Sequence, residues 1–293
     1  MIRTDLACEA YELHKNALPD GIRQEECFYG EIRVVSVVIE NDDAGRYIGK
    51  PAGKYVTVET ASFAKGTVGE GTEEAVEAIA LQLKEMLPKE IERETVLVAG
   101  LGNRDITPDA LGPKTAEKVL STRHIGEELK KEMGLEQFNS VAVIATGVLA
   151  QTGVETGELI GAVTEKIQPA AVIVIDALAA MEVSRLGRTV QISDSGIVPG
   201  SGVFNSRKKI DEKLLGTKVI SIGVPTVVDA ATLVQEFCDG TKEKGGSEKT
   251  EKMMITPREI DVIIERAADM VAMGINRALH PEVTTEDFRF LMS

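Results

Sequence analysis

Tryptophan is missing from the 293-residue chain, aromatic residues make up only 4% of it, and histidine and cysteine occur three times each. Without aromatics, the core has to be aliphatic. At 43% hydrophobic, the chain has the material for one large core. Cys8, Cys27 and Cys238 are odd in number and far apart, which excludes a disulfide scaffold or a zinc ribbon and suits a reducing cytoplasm. His14, His124 and His280 form no His-Glu-x-x-His pattern, so a zinc hydrolase would lack its ligands. No Gly-x-Ser-x-Gly elbow occurs, Gly100-Leu101-Gly102 lacks the third glycine of a dinucleotide fingerprint, and no Walker lysine follows a glycine loop. Neither a leader-type opening nor a run of about 18 apolar residues is present, so a soluble, cytoplasmic protein without a membrane partner is expected. Positive charge is scarce as well. With 33 Lys and Arg against 47 Asp and Glu, the net charge is −14, which disfavours nucleic acid as a direct partner. The short basic cluster Arg207-Lys208-Lys209 reads as a solvated loop.

What the chain does have is a succession of apolar runs. Residues 31–40 alternate as a half-buried strand does and residues 54–59 read as a second, which together predict an N-terminal antiparallel element. Residues 72–86 carry the apolar stripe of an amphipathic helix. From residue 95 the texture changes to wholly apolar runs at 95–99, 140–145, 171–175 and 218–223. Helix-length segments separate them at 113–131, 156–167 and 179–186. Continuous apolar strands alternating with helices predict an α/β fold: a mostly parallel sheet with helices on both faces. Residues 189–193 add a further strand, 226–237 return to helix, and Thr256-Pro257 starts a last helix that runs to about Leu279. The Gly-, Ser- and Pro-rich stretch 194–216 is expected to be a functional loop over the site, and the charged stretch 239–252 a disordered connection.

Asp109 and Asp176 carry the candidate chemistry. Each follows an apolar strand, the first and third of the series, at the edge of an α/β sheet where ligands collect. Taken singly, either could be a helix-terminal carboxylate worth about 0.3–1 kcal/mol to the helix dipole. Neither such role accounts for their occurrence at one edge. As a close pair they would share a proton and titrate together, one carboxylate activating water while its protonated partner donates to a leaving amine. Gly100, Gly102 and Gly112 would let backbone approach a substrate or simply serve the tight turn.

Several long motifs then coincide in order with one family. The run from Gly100-Leu101-Gly102-Asn103 through Thr107-Pro108-Asp109-Ala110-Leu111-Gly112-Pro113 resembles the germination proteases of endospore-forming bacteria. So do Thr122-Arg123-His124, Thr152-Gly153-Val154-Glu155-Thr156, Ile175-Asp176-Ala177-Leu178-Ala179-Ala180, Gln191-Ile192-Ser193-Asp194-Ser195-Gly196, Pro199-Gly200-Ser201-Gly202 and Ile222-Gly223-Val224-Pro225-Thr226. The similarity extends from Arg3-Thr4-Asp5-Leu6-Ala7 to Ala278-Leu279-His280.

The resemblance implies a fold like that of hydrogenase-maturation endopeptidases. It also implies an aspartic-type endopeptidase without cofactor or required metal, with Asp109 and Asp176 as catalytic residues. The substrates it implies are small acid-soluble spore proteins, degraded during germination in the spore core. It further implies a homotetramer made as a zymogen and processed between Asp5 and Leu6, with a pro-segment of residues 1–5 ahead of a single protease domain, 6–293. The pro-segment is shorter than the family pattern, and the 239–252 region is truncated relative to it. Peptidyl-tRNA hydrolase shares a Gly-Leu-Gly-Asn and a Thr-Arg-His motif, but here Asn103 and Thr122 lie too far apart for it, and Ile125 stands where asparagine is wanted. A nickel-binding hydrogenase-maturation endopeptidase would need a histidine partner, for which His124 is the candidate in the sheet region. A binding module with both aspartates as helix caps is the non-enzymatic alternative; Asp176→Asn would leave its function intact.

Overall fold

The structure, a computed structural model, describes residues 4–64, 72–89, 91, 94–133, 135–200, 208–237 and 253–284. The first half contains α1 (Ala7–His14), β1 (Ile22–Tyr29), β2 (Ile32–Ile39), α2 (Asp42–Ile48), β3 (Gly53–Glu59), α3 (Thr72–Met86), β4 (Thr95–Leu101), α4 (Leu111–Ala116) and α5 (Glu127–Met133). Then come β5 (Ser140–Gly147), α6 (Leu149–Thr152), α7 (Thr156–Ile167), β6 (Ala171–Ala180), β7 (Thr189–Ser193), α8 (Glu212–Leu215), β8 (Lys218–Asp229), α9 (Ala230–Phe237), β9 (Met254–Ile255) and α10 (Ile260–Leu279). Single helical turns occupy Thr107–Asp109 and Val183–Arg185. None of these helices is long and apolar enough to cross a membrane.

The strands form one sheet in the order β1-β2-β3-β7-β8-β6-β4-β5, with β9 added to β8. The apolar runs at 95, 140, 171 and 218 supply its parallel part, where β5 pairs β4, β4 pairs β6 and β6 pairs β8. The N-terminal strands supply an antiparallel part, joined to β8 through β7. Side chains alternate across the sheet, so each apolar strand feeds two cores. On one face Val96, Val98, Ile173, Ile175, Ile220 and Ile222 pack under α3 and α10. On the other, Leu97, Ala99, Leu101, Val172, Val174 and Val219 pack under Ile160 of α7 and Leu215 of α8. Each such Val, Leu or Ile side chain, fully buried, contributes about 1.5–3 kcal/mol of transfer free energy. Helices therefore cover both faces, as buried parallel strands require.

Four expected elements change shape. The helix expected at 179–186 is the end of β6, which pairs with β8 as far as Ala180↔Val228, followed by one turn. The apolar run at 218 likewise continues to Asp229, which delays the helix expected at 226 to Ala230. The helix expected over 113–131 is split. Asn276 of α10 caps the break by accepting from the Leu120 N–H (2.9 Å) and donating to the Lys118 carbonyl (3.1 Å). Finally, α10 begins at Ile260, not at Thr256; the Thr256 hydroxyl instead ties this segment to β8 by donating to the Thr226 carbonyl (2.9 Å). The stretch 239–252 and residues 201–207 of the expected loop lie outside the described residues.

Candidate active site

The Gly-Leu-Gly-Asn segment turns as β4 ends, and its glycines are sterically required. At Gly102 the backbone has φ +106°, and a Cβ there would stand 2.1 Å from the Asp109 carbonyl. The turn folds back over the Thr107–Asp109 helical turn, so that the Asn103 N–H donates to Asp109 Oδ2 at 2.8 Å. Asn103 is itself held: its Oδ1 accepts from the Asp105 N–H (2.9 Å) and from Gln151 Nε2 (2.7 Å). On the other side, the Thr226 hydroxyl of β8 donates to the Pro108 carbonyl at 2.8 Å. Asp109 is thereby fixed from β4, α6 and β8 while remaining half-exposed.

Asp176 is in the middle of β6, where the expected strand-to-helix junction is absent. It is buried, and its Oδ1 accepts from the Ala177 N–H at 3.0 Å. Its register partner on β8 is Gly223, whose own partner on β7 is Gln191, followed by Thr57 on β3. Residues paired in register share a face, so Asp176 and Gln191 flank a position without a side chain, two strand spacings or about 10 Å apart. A cavity of about 1080 Å³ opens here, and Asp5, Asp109, Asp176 and Gln191 all line it. So do Gly196, Ile197, Val198 and Gly200, the described approach to the loop expected over the site. The two candidate aspartates and the candidate processing site are thus brought to one place. His124 is not among the residues lining the cavity. Among the described residues, no three His, Cys, Asp or Glu side chains gather as a metal-binding group.

The N-terminal segment is bound into this cavity as an extended strap along β6. The Asp5 N–H donates to the Ala179 carbonyl and the Ala179 N–H donates to Asp5 Oδ2, both at 2.8 Å. Leu6 is fully buried among Leu178, Ala180, Leu186 and Val228. Three side chains that the sequence reading did not single out hold the strap. The Gln191 amide uses both ends: Nε2 donates to the Asp5 carbonyl (3.0 Å) and Oε1 accepts from the Ala7 N–H (2.7 Å). Lys50 Nζ donates to the Thr4 carbonyl (2.8 Å). Burial lowers the pKa of Lys50, and the charges of Asp5, Glu9 and Cys8 work against that shift. Glu9, fully buried, accepts from the Met181 N–H (2.8 Å), the Glu182 N–H (3.0 Å) and the Thr4 hydroxyl. Burial raises its carboxyl pKa, and these same hydrogen bonds and Arg185 pull it back down. The available signal for Gln191 was its place at the head of the Gln191-Ile192-Ser193-Asp194-Ser195-Gly196 motif.

Comparison with known proteins places a chain of this fold and site among the peptidases. More narrowly, it belongs to the germination protease family, whose model matches residues 5–252 and 247–291. Germination proteases of Clostridium perfringens and Clostridium tetani are 40% and 38% identical to it over 319 residues. These alignments cover 98% of this chain and 97% and 98% of the two relatives. The Priestia megaterium germination protease is 33% identical over 357 residues, covering 98% of this chain and 96% of that protein. Among solved structures, a NiFe hydrogenase maturation protease from Thermococcus kodakarensis aligns with a TM-score of 0.37 and 16% identity. It covers 66% of this chain and 98% of its own.

Proposed function

We propose that this germination protease is an aspartic-type endopeptidase that degrades small acid-soluble spore proteins in the cytoplasm of the spore core. It works as a homotetramer and is made as a zymogen that cuts itself between Asp5 and Leu6. The observation that carries this reading is the convergence of Asp109, Asp176 and Asp5 on one cavity. An ionised aspartate takes a proton from water as the water attacks the scissile carbonyl carbon, and its protonated partner donates to the departing amine. The two carboxyl groups act as one titrating unit. The chemistry requires no cofactor and no metal.

The test compares wild type with Asp109→Asn and Asp176→Asn on a purified small acid-soluble spore protein, with and without chelator. The N-terminal mass of each enzyme is followed in the same samples. Both variants should lose substrate cleavage and self-processing by at least about 10³-fold, as expected when half of an acid–base pair is removed, while wild type ignores the chelator. Full activity in either variant refutes the pair, and loss of wild-type activity to chelator refutes the metal-free mechanism.

A further inference from the structure

We infer that Gln191 is a third catalytic residue, the amide that holds the scissile carbonyl and stabilises the negative charge forming on its oxygen. This inference rests on the reading of Asp5-Leu6 as a cleaved bond.

The geometry is that of a donor aimed at a reacting carbonyl. Gln191 Nε2 lies 3.0 Å from the Asp5 oxygen, while its Oε1 accepts from the Ala7 N–H, so one planar amide spans Leu6 and holds the carbonyl of the Asp5-Leu6 bond. Both contacts fix the amide orientation, because the Ala7 N–H can be met only by the oxygen and the Asp5 carbonyl only by the nitrogen. Gln191 is buried in a central strand and shares a register row with Asp176 across the bare Gly223, so carboxylate and amide stand on one face of the sheet and line the cavity that Asp5 also lines. The scissile residue is immobilised in addition by Ala179, through both its N–H and its carbonyl. A pre-oriented donor costs no reorganisation when charge develops, which makes it effective in the transition state.

In the step itself, a water oxygen bonds to the Asp5 carbonyl carbon and an ionised aspartate accepts the water proton. The carbonyl electron pair moves onto the Asp5 oxygen, where the Gln191 N–H holds it. As that pair returns, the bond between the Asp5 carbon and the Leu6 nitrogen breaks, and the protonated aspartate gives its proton to the Leu6 nitrogen. The products are a carboxyl group on Asp5, which still carries the second water proton, and an amino group on Leu6; passing that proton to the amine leaves a carboxylate and an ammonium.

The same amide could instead be only a strut for the strap, and the test separates the two roles. Gln191→Glu keeps the size and an acceptor for Ala7 but removes the donor; Gln191→Ala removes both. Wild type and the two variants, as full chains below their unfolding midpoints, are followed by N-terminal mass for self-cleavage. They are also assayed for kcat and KM on a peptide copying residues 1–12. Removing an oxyanion donor should lower kcat and the self-cleavage rate by about 10²–10³-fold in both variants. A strut alone would contribute binding equally in ground and transition states, so its loss would weaken binding of the strap-like peptide, raising KM and leaving kcat unchanged. That result, or no change in either constant, overturns the role of Gln191 and leaves the protease reading standing. Wild-type self-cleavage at a bond other than Asp5-Leu6 overturns the processing reading, and this inference with it.

Discussion

Stability between pH 4 and 7 should depend on one side chain far from the cavity. His280, the residue after α10, is fully buried. Its Nδ1 accepts the Asn139 N–H at 3.2 Å, and its ring centroid lies 5.0 Å from that of Phe138. Burial, assisted by the charge of Lys130, pulls its pKa down from 6.5 to about 4, against a hydrogen bond with the Leu120 backbone. In the unfolded chain the imidazole takes a proton near pH 6.5, and in the fold only near 4, so between those values the unfolded state binds more protons. The folded state is therefore at full strength above pH 6.5 and loses this contribution as the pH falls, completely by about 4. A gap of about two and a half pH units, at 1.36 kcal/mol each, amounts to about 3 kcal/mol. Urea unfolding of wild type and His280→Gln at intervals from pH 8 to 4 measures it. Carboxylates titrate in both proteins, so the difference between the two curves isolates the imidazole. Wild type should lose about 3 kcal/mol more than the variant over that interval. If the two curves run parallel, the buried, neutral histidine is refuted.

Two further substitutions test the framework of the site. Gly112→Ala would place a Cβ 2.1 Å from the Leu101 carbonyl and 2.7 Å from that of Ile175, backbone atoms at the end of β4 and in the middle of β6. The cost should exceed about 3 kcal/mol, beyond the usual range for overpacking; a thermal midpoint within a few degrees of wild type would contradict it. Glu9→Ala orphans the Met181 and Glu182 N–H groups and should cost about 2–4 kcal/mol in urea unfolding, with Glu9→Gln costing less because one acceptor survives. The reverse order of the two variants would show that the carboxylate is not what holds them.

The parallel strands were legible in the sequence because burial on both faces leaves a run with no polar interruption. The Asp109 turn was legible because its glycines have few other uses. The end of β6 was not. Ala177-Leu178-Ala179-Ala180 has helix-forming composition, and only pairing with β8 makes it a strand. That pairing places Asp176 within β6, where a local reading had put it at a junction. β8 was cut short for a related reason: Pro225 argues against a central strand, yet it stands where the β7 pairing, which ends at Gly223, no longer demands a donor. β1 escaped notice because its polar sequence, IRQEECFY, is mostly exposed and pairs with no strand but β2 among the described residues. Lys50 and Glu9 carried no motif, and Gln191 opened one without a role attached to it, since their partners are backbone groups of the N-terminal strap and of the chain just beyond β6.

The hydrogen bonds that seat Asp5 on β6 and β7 span 174 and 186 residues of sequence. Contacts of that separation come late in folding, because the long loop must be closed before they repay its entropy. During synthesis the amino terminus emerges first, and neither Ala179 nor Gln191 exists when it does. Growing at about 5–20 residues per second, a chain needs roughly ten to forty seconds to supply them, and the sheet must then close around β8. The order of synthesis thus acts as a clock: the strap cannot meet its seat until β6 and β7 have been made.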